Sequence, residues 1–434
     1  MNDISKKSQV FSLVMLGALY FVFGLVSWVN SILVPYFKIS CELQSEVQGY
    51  LANFAFYIAY LVMTIPASAL LNRAGFKRGT EIGLWILGLG ALLFVPAAYM
   101  RTYNMFLVAL FTMGTGMAIL QTAANPFVTI IGPLESAARR MSIMGMCNKF
   151  AGILAPIIFA AAVIRPSDKA IMDQVTAGTL TGAAKDAALD QMIRNVIPPY
   201  LILAVFLVAF GIVFYKSAIP DIDPNTQNKS NGSASGEDRK SILSYPYLVL
   251  GALALFCHLG SQAVSVNTIM GYAQGMGLDM LQAKAFPSFT LGCIMFGYLV
   301  GVVLIPKYLS QQKALVLCTV TGLVLSCLVV LVCGPVHLFG LGTDASIWFL
   351  VLLGIPNSLI YAGIWPLAIH DLGRHTSLGS SIMVMGLCAN AIVPLLYAWL
   401  VDATGSARTG YWVLIPCFLY MIFYAVRGYK IERW

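Results

Sequence analysis

Apolar positions in this chain gather into long runs with short polar interruptions. Twelve runs follow one another, at 11–36, 47–72, 81–99, 104–132, 141–163, 197–217, 243–273, 285–306, 314–334, 346–370, 379–401 and 410–427. At 1.5 Å per residue, a helix of about 20 apolar residues crosses roughly 30 Å of hydrocarbon. Pro and Gly inside the runs do not argue against helix, because in a membrane neighbouring helices and hydroxyls satisfy the freed backbone groups. The pattern predicts an all-α membrane protein of twelve transmembrane helices, not a strand barrel.

Composition agrees. Of 434 residues, 59% are hydrophobic and 10% charged, which excludes a soluble domain. With the N-terminus inside, 17 Lys and Arg fall on the cytoplasmic side and 8 outside, so the positive-inside rule places both termini in the cytoplasm of an inner-membrane protein. The net charge of +8 then matches anionic lipid and calls for no nucleic acid. The nine Cys show neither metal-site spacing nor a disulfide pattern and read as small packing residues. No cleavable signal is expected, since the first run is long enough to span.

Between runs six and seven lies "SAIPDIDPNTQNKSNGSASGEDRK", a polar linker. It sets the expected domains: a bundle over 1–217, a linker over 218–241 and a second bundle over 242–434. Its sequons at Asn228 and Asn231 face the cytoplasm on this topology and should carry no glycan. The halves are similar. "MSIMGMCNKFAGILAP" after run four parallels "SSIMVMGLCANAIVP" after run ten, and the preceding runs carry Pro126 and Pro366. Such a repeat is the architecture of major facilitator transporters, which bind substrate near the midplane between their halves.

Polar side chains inside the runs are the candidate chemistry. Run one carries Asn30 and Ser31, beside Tyr20, Gly24, Ser27 and Trp28. Run four carries Gln121 and Asn125 one turn apart, and run five Asn148 and Lys149. Counted from the cytoplasmic ends, Asn125, Asn148 and Lys149 lie at a common depth of about 10 to 12 Å, where they could meet. Run seven carries His258, Gln262 and Asn267, with Asn267 on the face opposite His258; run ten carries Asn357, Tyr361 and Trp365 at four-residue steps; run eleven carries Asn390. Every acidic residue falls in a loop or at a helix end, so the membrane carboxylate that commonly carries a proton or sodium ion is missing. Amides and hydroxyls combined with Trp and Tyr suit a neutral polyol, the amides bonding its hydroxyls and a ring stacking on its apolar face. An organic cation would call for a carboxylate, and an organic anion for several Arg or Lys.

Each of these residues also has a plain structural use. Isolated amides tie helices together, His258 packs as a neutral ring, and the prolines kink their helices. Lys149 can snorkel to the interface, stand as a fixed cation, or release and regain a proton; sequence does not separate these.

"LQTAANPFVTIIGP", "NSILVPYF", "FAFYIAYLVMTIPA" and "IWPLAIHDLG" with "GSSIMVMG" resemble the fucose:proton symporter family of the major facilitator superfamily, and within it the glucose/galactose and N-acetylglucosamine permeases. The resemblance covers all twelve runs. It implies alternating access by two six-helix bundles, with Asn148 at the position of a sugar-contacting Asn. Fucose carriers have an Asp where this chain has Ser31 and a Glu where it has Gln121, the acids assigned to proton coupling. Gln121 matches the glucose/galactose branch. In "LLNRAGFKRG" Asn72 replaces the usual Asp of the loop between runs two and three, while Arg73, Lys77 and Arg78 remain.

The expected function is transport of a neutral hexose, with coupling to a proton, to sodium or to neither left open. N-acetylglucosamine uptake and a non-transporting sugar sensor are the alternatives. Expected substrate contacts are Asn30, Gln121, Asn125, Asn148, Gln262, Asn267, Asn357, Tyr361, Trp365 and Asn390. Expected coupling or gating residues are Lys149, Ser31, His258, Pro126 and Pro366. No cofactor or metal is expected, and the bilayer, a sugar and a co-transported ion are the expected partners of a monomer. The residues contain no nucleophile–base pair or phosphate loop of an enzyme.

Overall fold

A computed structural model describes residues 6–43, 46–163, 171, 174–175, 179–219, 241–278, 280–283, 285–305 and 307–434. Helices occupy every predicted run. They are α1 (Lys6–Ser40), α2 (Glu46–Ala74), α3 (Phe76–Met100), α4 (Tyr103–Ile130), α5 (Ala137–Val163), α6 (Gly182–Arg194), α7 (Ile197–Lys216), α8 (Pro246–Asn267), α9 (Ile269–Gly275), α10 (Ala285–Leu304), α11 (Gln311–Leu331), α12 (Ala345–Leu352), α13 (Gly354–Ile369), α14 (Thr376–Met385), α15 (Ala389–Thr404) and α16 (Leu414–Val426). Among the described residues, eleven stretches are long and apolar enough to cross a membrane. Apolar side chains such as Ile202 and Val205 on α7 stand largely exposed, as suits a protein whose outer solvent is lipid.

Four runs are broken, run twelve by a tight turn at Tyr411–Val413 before α16 and the other three as follows. Run seven stops at Asn267 and resumes as α9. Run ten divides into α12 and α13 at Leu353, because Pro356 in the first turn of α13 has no N–H to bond back to the preceding turn. Run eleven passes through a tight turn at Gly386–Cys388 between α14 and α15.

Two features lie outside the runs. The expected outer loop contains the amphipathic helix α6, which buries Leu189, Met192 and Ile193. It is fastened by ion pairs: Arg101, at the left-handed end of α3, reaches Asp186 at 2.9 Å, Asp190 at 3.2 Å and Glu42 at 3.4 Å, and Lys185 reaches Glu42 at 2.5 Å. Between α11 and α12 a hairpin pairs β1 (Pro335–Leu338) with β2 (Leu341–Asp344) through a turn in which Phe339 and Gly340 both have positive φ.

The chain forms two compact units. The first is Met1–Ala124 with Cys147–Asp221, and the second is Asn125–Met146 with Ile222–Trp434. The end of α4 and the start of α5 thus group with the later helices.

Candidate functional site

In the first unit, α4 presents Gln121, whose Nε2 donates to the hydroxyl of Tyr60 on α2 at 3.2 Å. Both are buried, and Tyr57 stacks on Tyr60 with centroids 6.0 Å apart. This bond uses the amide nitrogen and leaves the Gln121 carbonyl oxygen to meet a further donor.

Nearby sequence positions on α5 turn to α1. The Asn148 Nδ2 donates to the backbone carbonyl of Tyr20 at 3.4 Å, and the Lys149 ammonium lies 5.2 Å from the Trp28 ring centroid, within cation–π range. The two helices approach closely. A Cβ on Gly24 would strike the Asn148 carbonyl, and one on Gly152 would lie 2.6 Å from the Trp28 ring, so only glycine fits at either position. The side chains of Asn30 and Ser31 lie outside the described residues. The basic residues after α2 are engaged locally: Lys77 donates to the Ser217 carbonyl at 2.7 Å, and Arg78 pairs with buried Glu81 at 2.7 Å beside the rings of Trp85 and Tyr215.

In the second unit, four-residue spacing puts Asn357, Tyr361 and Trp365 on one face of α13. Tyr361 accepts a hydrogen bond from Asn125 Nδ2 at 3.0 Å and stacks on Trp365, with centroids 5.6 Å apart and planes 18° from parallel. The His258 ring on α8 is 6.5 Å from that of Tyr361. The Asn357 Nδ2 points to Ser265 Oγ at 3.5 Å, while Asn357 Oδ1 and Trp365 Nε1 are buried without a hydrogen-bond partner. Fully buried polar atoms are nearly always paired, so two orphans on one face mark it as unusual. Proline leaves both helices intact: Pro126 lies inside α4 and Pro366 inside α13.

The structure therefore sorts the predicted residues. Asn125, His258, Asn357, Tyr361 and Trp365 converge in the second unit, whereas Gln121, Asn148 and Lys149 belong to the first. Gln262 is half-buried on α8, with its backbone carbonyl accepting from Ser265 Oγ at 3.0 Å; Asn390 is half-buried at the start of α15; Asn267 is exposed at the end of α8. Sequence reasoning missed Tyr60 and Ser265. Tyr57 and Tyr60, one turn apart in "FAFYIAY", were the signal for the first. Among the described residues no group of three His, Cys, Asp or Glu is placed to hold a metal ion.

A family model described as Major Facilitator Superfamily matches residues 16–389. The chain belongs to the major facilitator superfamily. It is 31% identical to the glucose/galactose transporter of Brucella abortus biovar 1 (strain 9-941), over 98% of this chain and 96% of that one. It is 26% identical to the L-fucose-proton symporter of Escherichia coli (strain K12), over 96% of this chain and 93% of that one. Among solved structures, the crystal structure of the major facilitator transporter FucP in the outward conformation matches with a TM-score of 0.81 at 26% identity, covering 96% of this chain and 98% of that chain. These relatives are transporters, and the likeness to the fucose symporter and glucose/galactose group expected from the sequence holds over nearly the whole chain.

Proposed function

We propose that this protein is an inner-membrane sugar permease, with both termini in the cytoplasm, that moves a neutral hexose of the glucose or galactose type by alternating access of two six-helix bundles. The reading rests on one observation above the rest: each unit holds a buried set of uncharged hydrogen-bonding groups beside aromatic rings, Gln121 with Tyr60 in one and Asn357 with Tyr361 and Trp365 in the other. Gln121 and Asn148 bind sugar hydroxyls from the first unit. Asn357 and Gln262 bind them from the second, and Tyr361 or Trp365 stacks on the ring. The names of the relatives support the sugar class.

Lys149 takes the part that a carboxylate plays elsewhere. Held against Trp28 in a span without acidic residues, it biases the conformational equilibrium or carries the proton. Only a group whose energy differs between two states can shift them. Counterflow in proteoliposomes tests the proposal: preloaded unlabelled hexose should drive transient accumulation of labelled glucose or galactose, whereas a sensor of the same fold would bind sugar without exchanging label.

A further inference from the structure

The tip formed by the end of α4 and the start of α5 belongs by sequence to the first half, yet residues 125–146 group with the later helices. Contacts on both helices hold it there. Asn125 Nδ2 donates to the Tyr361 hydroxyl at 3.0 Å. On the α5 side, Gly145 lies so near the Tyr298 ring of α10 that a Cβ would come 2.5 Å from Cζ. The tip is braced internally, because buried Arg140 donates from Nε to the Val128 carbonyl at 2.8 Å, from Nη1 to Pro133 and Ser136, and from Nη2 to Thr129 and Gly132.

The face of α13 that receives Asn125 bears three polar groups in a row. The middle one, the Tyr361 hydroxyl, is satisfied by Asn125, while the flanking Asn357 Oδ1 and Trp365 Nε1 are buried without partners. An acceptor, a hydroxyl and a donor along one helix face match a polyhydroxylated ligand, and here they are covered. We propose that Asn125 is a latch: its amide stands in for a sugar hydroxyl on Tyr361, and withdrawal of the tip delivers Asn357, Tyr361 and Trp365 together to the substrate. The identity of that substrate rests on the sugar-permease reading; the latch does not.

The latched state sets the Asn125–Tyr361 hydrogen bond and the packing of the tip against two unsatisfied groups. A ligand that satisfies all three groups draws the protein into the unlatched state, and Asn125 acts on the site as a positioning residue.

Hydrogen–deuterium exchange of the full chain in nanodiscs, without sugar, tests this. Asn125→Ala and Tyr361→Phe should each raise exchange several-fold in peptides covering 125–146 and 357–365. The double variant should add nothing, since both remove one bond. Gly145→Val, a wedge against Tyr298 that alters neither partner of the Asn125–Tyr361 bond, should raise exchange in the same peptides. Binding of labelled galactose should tighten several-fold in Asn125→Ala, which removes the cost of unlatching, and weaken in Tyr361→Phe, which loses a contact. Unchanged exchange in both single variants, or additive effects in the double, overturns the latch. Weaker galactose binding in Asn125→Ala overturns the stand-in role. The exchange measurement contains no sugar, so failure of the latch is distinguishable from failure of the sugar reading, which would appear as wild-type protein binding no hexose.

Discussion

Replacing Arg140 by Ala removes the clasp that closes the α4–α5 tip. Its guanidinium meets four backbone carbonyls and one hydroxyl, and their surroundings set the magnitude. Val128 and Thr129 are buried, so loss of the guanidinium leaves their carbonyls without this partner in a buried setting. Each orphaned group costs about 1–3 kcal/mol. Gly132, Pro133 and Ser136 are more open, and water replaces the lost bonds there at little cost. The sum is about 2–6 kcal/mol, carried by two carbonyls. Thermal denaturation in detergent, followed by loss of the monodisperse peak, should show a fall on the order of 10 °C, taking roughly 2–4 °C per kcal/mol for a unit of this size. Arg140→Lys should recover part of it, because an ammonium reaches one or two of the carbonyls but lacks the planar fork. A fall under about 2 °C for Arg140→Ala, at roughly 2–4 °C per kcal/mol, would refute the reasoning.

Two further perturbations have defined outcomes. Lys149→Met should leave hexose counterflow in place and alter the dependence of uptake on an imposed proton or sodium gradient; an unchanged dependence would return Lys149 to packing against Trp28. Asp344 caps α12 by accepting from the Ser346 N–H at 2.9 Å and the Gly334 N–H at 3.0 Å. Partial burial opposes its charge, but these bonds and Arg408 outweigh it and hold the carboxyl below the usual aspartate range. Its contribution is therefore complete above a pH of about 3.9 and is lost as pH falls through the lower folded value. Asp344→Ala should cost about 1 kcal/mol at neutral pH, and the gap from wild type should close in strong acid; a gap constant with pH would contradict this.

The helices were legible because a membrane imposes one simple rule, about 20 apolar residues per crossing, and each run obeys it. The breaks were less so. Pro356 lies within an apolar run that hydropathy reads as continuous, and its effect depends on which backbone carbonyl it faces. Helix α6 escaped because it is amphipathic and sits among polar residues. The turn at Phe339–Gly340 places a phenylalanine at positive φ, which no composition rule favours. At the candidate site the residue types were readable, but their partners were not. Asn125 and Asn148 share a depth, yet one bonds Tyr361 and the other a backbone carbonyl of α1, which no side-chain pattern reveals. Asn125 lies one turn from Gln121, and only the fold separates them into different units.

The central claim is that buried, uncharged hydrogen-bonding groups of this chain bind a neutral hexose. Equilibrium binding of labelled galactose and glucose to purified wild type, Gln121→Ala and Asn357→Ala tests it most directly. Loss of one hydrogen bond to a hydroxyl in a buried site costs about 1–3 kcal/mol, so each variant should bind roughly 5- to 150-fold more weakly. Wild-type affinity retained in either variant, with the protein folded, would contradict the account.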